Sequence, residues 1–151
     1  MAERSNVLVF PEGNSSNSID PSVLLAMNNK WLVRVMYSMH EDDTMEAMEA
    51  LHELKCPRSE AIKAYSIISS GMNRGFTFTN DLLRTTLIYI GVSSDKGEFI
   101  NTIVHEAKHA QSNICRYYNI KEYSEEAAEL IAYIVQKMWD DFEVLLKVNY
   151  E

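Results

Sequence analysis

The sequence predicts a mainly helical α+β fold in one domain. Three observations carry that expectation. Apolar residues recur at helical spacing through most of the chain. One stretch, Gly75 to Val92, changes to Phe, Thr, Ile and Tyr around an Asn-Asp pair, the pattern of a β-hairpin. The length of 151 residues, with 46% hydrophobic and 24% charged side chains, suits a single soluble domain with its own core.

The elements follow in order. Val7 to Phe10 reads as a short strand, and residues 11–20, rich in Gly, Asn and Ser, read as a loop, so that 1–20 is a partly irregular N-terminal segment. In "DPSVLLAMNNKWLVRVMYSM", Asp20 is a helix N-cap and Pro21 suits the first helical position. This predicts one helix, or two broken near Asn28 and Asn29. "DDTMEAMEALHELK" is amphipathic, with Met45, Met48, Leu51 and Leu54 expected to face a core and Pro57 closing the helix. A helix from about Ser59 to Ser70 ends at Gly71. The hairpin, Gly75 to Thr79 and Leu83 to Val92, is the one convincing sheet. Ser94 or Asp95 then caps a helix to about Cys115, and Ser124 caps a last helix from Glu125 to about Val148.

Composition excludes some functions. A net charge of -8 without a basic cluster argues against nucleic acid, whose phosphates need Lys and Arg to displace counterions. No apolar run reaches the length of a membrane span, and the N-terminus does not read as a signal peptide. Cys56 and Cys115, in no CxxC pattern, read as reduced thiols of a cytoplasmic protein. The oligomeric state is not legible.

Chemistry concentrates in "TIVHEAKHAQSN", Thr102 to Asn113. His105 and His109, four residues apart on a helix, stand on one face and can offer two imidazole nitrogens to one metal ion. Glu106 is one residue round the helix, placed to take a proton from water rather than to bind metal. By residue frequencies alone, HExxH arises in roughly one chain of this length in a few hundred, so the motif needs a third ligand. "HELKC", His52 to Cys56, is a near copy in which Pro57 follows at once, and His52 and His40 read as surface residues. The acidic cluster "SEEAAEL" is better placed. Glu125, Glu126 and Glu129 are all candidate ligands. Glu125 and Glu129 share a face, so that if Glu125 binds metal, Glu129 can accept a hydrogen bond from the far nitrogen of a ligand histidine. First-turn glutamates are also favoured by the helix dipole without any metal.

"HEAKH" followed by "EEAAE" resembles the gluzincins, the thermolysin-like zinc peptidases. The resemblance implies Glu125 as third ligand, Ala128 as the small residue of the family pattern and Glu129 as its second acid. On thermolysin's own longer spacing Glu129 takes the ligand place. "EEAAELIAYI", Glu125 to Ile134, is also similar to the last helix of short HExxH proteins of phages and mobile elements, with Ala132 where glycine often stands. The likeness covers roughly Phe76 to Met138. It implies a minimal zincin-like core over 75–148, a Zn²⁺ cofactor, and a peptide or protein substrate paired against the strand "RTTLIYIGV". Tyr117, Tyr118, Tyr123 and Tyr133 are candidates for stabilising an oxyanion. Two rivals follow from the same residues: a zinc-binding regulatory module without useful activity, and a metal-free domain whose histidines splay apart.

Overall fold

The computed structural model describes residues 22–38, 44–70 and 72–150. The expectations for Val7–Phe10, for the Asp20–Pro21 cap and for His40 lie outside them. The fold is α+β and mainly helical. Its order is β1 (Ser22–Ala26), β2 (Trp31–Tyr37), α1 (Thr44–Glu53), α2 (Arg58–Ser69), β3 (Gly75–Asn80), β4 (Thr85–Ile90), α3 (Lys96–Tyr118) and α4 (Glu125–Tyr150).

The helix expected over the first stretch is a β-hairpin. β1 pairs antiparallel with β2, and Met27, Asn28 and Asn29 turn the chain with positive φ of 54°, 59° and 66°. Asn tolerates this left-handed region better than most residues, so the pair that looked like a helix break is the turn itself. The strand period was masked because both faces of β2 are covered. Trp31, Val33 and Val35 enter one core while Met36 packs in another. A strand covered on both sides reads as a continuous apolar run, which periodicity cannot tell from a buried helix.

The resulting sheet has four strands in the order β1-β2-β4-β3, with β2 and β4 parallel and the other pairs antiparallel. β4 is central and all six of its residues are buried. Ile88 and Ile90 face α3 and α4, while Leu87 and Tyr89 face α1 and α2. The larger core joins Leu24, Trp31, Val33 and Val35 to Phe99, Ile103, Ala107, Ala110 and Ile114 of α3 and to Ala127, Ile134, Met138 and Phe142 of α4. Trp31 is fully buried, its indole N–H donating to Thr86 Oγ1 at 2.9 Å. Burying that ring while pairing its one polar atom keeps the whole hydrophobic gain.

On the other face α1 approaches the sheet through Ala47, Ala50, Leu51 and Leu54. Met45, expected in that core, is exposed; the small Ala47 and Ala50 turn the contact face away from it. The helix caps match the sequence. Asp95 accepts from the Glu98 N–H at 2.9 Å, and Ser124 accepts from the Ala127 N–H at 3.1 Å. Asn119, at φ 60°, ends α3 in the left-handed region.

Candidate metal centre

α3 lies on the sheet along β3 and β4, and three strand residues set its distance. Gly75 is the closest approach. A Cβ there would stand 3.0 Å from Thr102 Cγ2 and 3.1 Å from Glu106 Cγ, and would strike the Tyr89 carbonyl oxygen. Thr77 Oγ1 donates to Glu106 Oε1 at 2.7 Å and also lies 3.1 Å from the Glu106 carbonyl oxygen. Thr79 Oγ1 accepts from Asn113 Nδ2 at 3.0 Å. Gly75, Thr77 and Thr79 alternate along β3, so a small polar face meets the helix while Phe76 turns to the opposite core. Sequence reasoning missed these three residues. The signal was present in "GFTFT", whose hydroxyl and glycine positions alternate with Phe.

Glu106 is 4% exposed, and a buried carboxylate is costly unless hydrogen-bonded. Thr77 meets that need at one oxygen. His105 and His109 are exposed beside it, with Nε2 atoms 3.3 Å apart and ring planes at 75°. Two imidazoles on a tetrahedral zinc, each about 2.0–2.1 Å from the ion, place their nitrogens about 3.3–3.4 Å apart. The pair therefore has the spacing of one edge of a zinc site. The same spacing serves as a hydrogen bond when one ring carries the Nε2 proton and the other does not.

The two histidines and Glu106 open into a cleft of about 650 Å³ whose lining also includes Asn73, Arg74, Gly75, Thr77, Asn101 and Asn113. The strand beside this cleft is β3, at the sheet edge. The strand expected to receive a peptide, "RTTLIYIGV", is instead the central β4, paired on both sides and unable to accept another chain. None of the four tyrosines lines the cleft. Tyr117 and Tyr118 pack edge-on against Trp31, Tyr133 donates to the Leu25 carbonyl at 2.7 Å, and Tyr123 is exposed.

The acidic cluster of α4 does not join the histidines. Among the described residues no three His, Cys, Asp or Glu side chains are grouped to hold a metal ion. The reason is rotational. α4 meets α3 where Gln111 Nε2 donates to the Ala127 carbonyl at 2.9 Å. Gln111 is two residues beyond His109, about 200° round the helix. Glu125, Glu126 and Glu129 are exposed at that end of α4, and none of them lines the cleft. Glu122 ion-pairs with Lys108 at 3.6 Å on the same far flank, and the Ser112 hydroxyl, with Lys108, holds its carboxyl below the ordinary value.

Both cysteines are free thiols. Burial, reinforced by Glu122, pushes the Cys115 thiol up, and burial with Glu60 does the same at Cys56. Neither favours the thiolate that nucleophilic catalysis needs. Among the described residues no helix is long and apolar enough to cross a membrane. Comparison with protein-family models, with curated proteins and with solved structures finds no match. The likeness to gluzincins thus rests on the two motifs alone.

Proposed function

We propose that this chain is a zinc-dependent peptide hydrolase of HExxH type, with His105 and His109 as metal ligands and Glu106 as general base. The observation that carries the reading is the 3.3 Å separation of the two Nε2 atoms beside a buried, hydrogen-bonded Glu106. The donor set fits a zinc ion as a pair: two imidazole nitrogens converge, and Glu106 stays out of the ligand group. Zinc bound there supplies Lewis acidity toward water and toward a carbonyl oxygen.

The chain's own residues supply the rest. Glu106 takes the proton of the attacking water and returns it to the leaving amine, a role for a carboxylate held within hydrogen-bond reach of that proton. Thr77 occupies one carboxylate oxygen and fixes its direction, leaving the other for the proton. Among the described residues β3 has no second strand partner, so its outer backbone N–H and C=O groups can pair with an extended peptide while the cleft takes its side chains.

A second reading is favoured by one specific observation: among the described residues no acid of α4 groups with the two histidines. Two protein donors hold zinc less tightly than the three of an ordinary catalytic site. That suits a zinc-binding module of low activity. One experiment separates the readings. Purified protein is loaded with zinc, dialysed, and assayed for metal and for cleavage of a peptide library. Stoichiometric zinc with cleavage supports the hydrolase, and zinc without cleavage supports the module. Failure to take up zinc in the wild type, or uptake unchanged in His105→Ala and His109→Ala, overturns both.

A further inference from the structure

Arg74 lines the same cleft as His105, Glu106 and His109. β3 and α3 run side by side in the same direction, since Gly75 lies against Thr102 and Glu106, Thr77 against Glu106, and Thr79 against Asn113. The cleft therefore has two ends. His109 and Asn113 stand toward one, and Arg74, just before Gly75, stands with Asn101 and Thr102 at the other.

Of the residues lining the cleft, Arg74 is the one with a permanent positive charge. Among the described residues its side-chain partner is neutral: Nη1 donates to Ser70 Oγ at 3.3 Å, and that hydroxyl in turn donates to the Ile67 carbonyl at 3.0 Å. The contact steadies the guanidinium without cancelling its charge, and leaves further N–H donors for a ligand. Two other cations of the chain do pair with carboxylates, Arg34 with Glu53 and Lys108 with Glu122. Among the described residues Arg74 makes no ion pair, and Glu106 is the carboxylate that shares the cleft with it.

We propose that Arg74 is a specificity determinant that binds a carboxylate of the peptide substrate. The inference rests on the hydrolase reading above and names its substrate class. A planar guanidinium takes a carboxylate through two parallel hydrogen bonds, which a neutral amide cannot match. The Asn101–Thr102 end is about one helical turn, or about 5.4 Å, from His105. An extended peptide advances about 3.4 Å per residue. The carboxylate recognised thus lies about one to two residues from the bond held at the histidines. It belongs either to the chain terminus or to an Asp or Glu side chain.

The test uses zinc-loaded Glu106→Gln protein, which binds substrate without cleaving it. Three matched peptides are titrated by calorimetry: one with a free C-terminal carboxylate, one amidated, and one amidated with an internal Glu in place of Gln. A carboxylate peptide is expected to bind about tenfold tighter than the neutral one. Adding Arg74→Gln is expected to remove that preference while leaving the neutral peptide's affinity unchanged. Preference for the first peptide identifies the terminus as the source, and preference for the third identifies a side chain. Equal binding of all three, binding of none, or an Arg74→Gln loss that is the same for neutral and acidic peptides overturns the proposal. Zinc content is measured on the same samples, and the peptides are also titrated against metal-free protein. Absence of zinc overturns the hydrolase reading, whereas the Arg74 comparison in metal-free protein decides carboxylate recognition independently.

Discussion

The two flanks of α3 solve different problems with one helix. On the inner flank Ile103, Ala107, Ala110 and Ile114 are wholly buried against the sheet and α4, and Gln111 satisfies its amide on an α4 carbonyl. On the outer flank His105 and His109 are exposed, and Glu106 and Asn113 hold to threonines of β3. The inner flank is held by area removed from water, which is indifferent to direction. The outer flank is held by hydrogen bonds, which fix atoms within tenths of an ångström. On the proposed reading the chemistry lies beside β3: the strand that lets the helix approach, through Gly75, also holds the Glu106 carboxylate, through Thr77.

The sharpest break of the outer flank is Glu106→Gln. It keeps the shape and can still hydrogen-bond to Thr77, but cannot accept a proton. Peptide cleavage is expected to fall about 10²–10⁴-fold, the usual contribution of a positioned base, with zinc content unchanged. Full activity in a zinc-loaded Glu106→Gln protein removes the base assignment. The matching break of the inner flank is Ile114→Ala. It leaves every cleft atom in place and opens a cavity among fully buried neighbours. A loss of about 2–5 kcal/mol in denaturant unfolding is expected, with cleavage by the folded fraction unaltered. A cleavage defect exceeding the loss of folded protein would show that the flanks are coupled rather than separate.

Thr77→Val is a smaller and more selective change. It keeps the volume and removes the hydroxyl that donates to Glu106 Oε1. Thr77 touches no reacting atom in the proposed reaction, so its effect runs through Glu106. A drop of about tenfold in kcat is expected, with KM and zinc affinity near wild type, because roughly one hydrogen bond to a charged group is lost. Thr77→Ser, which retains the donor, should recover most of it. A Val variant with unchanged kcat ends the positioning role.

The same flanks explain what could be read beforehand. The Asp95 and Ser124 caps and the placement of His105 beside His109 were legible because capping and i, i+4 geometry are local: residues within one turn determine them. The first hairpin was not, because its strands are apolar on both faces and its Asn-Asn turn also marks a helix break. Gly75 and Thr77 were visible only as an alternating hydroxyl pattern with no partner named. The placement of the α4 acids was illegible for a different reason. Spacing along the chain measures how far α4 starts from His109, but not on which side of α3 it docks. That side is decided by the apolar stripe Ile103, Ala107, Ala110 and Ile114, which turns toward the sheet and α4 and leaves the histidines facing β3.

The smallest expected effect tests that rotation most directly. Glu125→Gln and Glu129→Gln, singly and together, remove the charges that the family likeness assigns to the metal. Both residues are exposed on the first two turns of α4. With the packing observed, each change should alter zinc affinity less than twofold. The helix itself should lose only a few tenths of a kcal/mol from weaker interaction with its dipole. Competition with a chromogenic chelator measures the zinc constant, and thermal unfolding without metal measures the helix term. A tenfold or greater loss of zinc affinity in either single variant, with stability unchanged, would mean that α4 rolls about α3 when metal binds. Gln111 would then have to release the Ala127 carbonyl, so Gln111→Ala should tighten zinc binding in that case and leave it unaltered in the other.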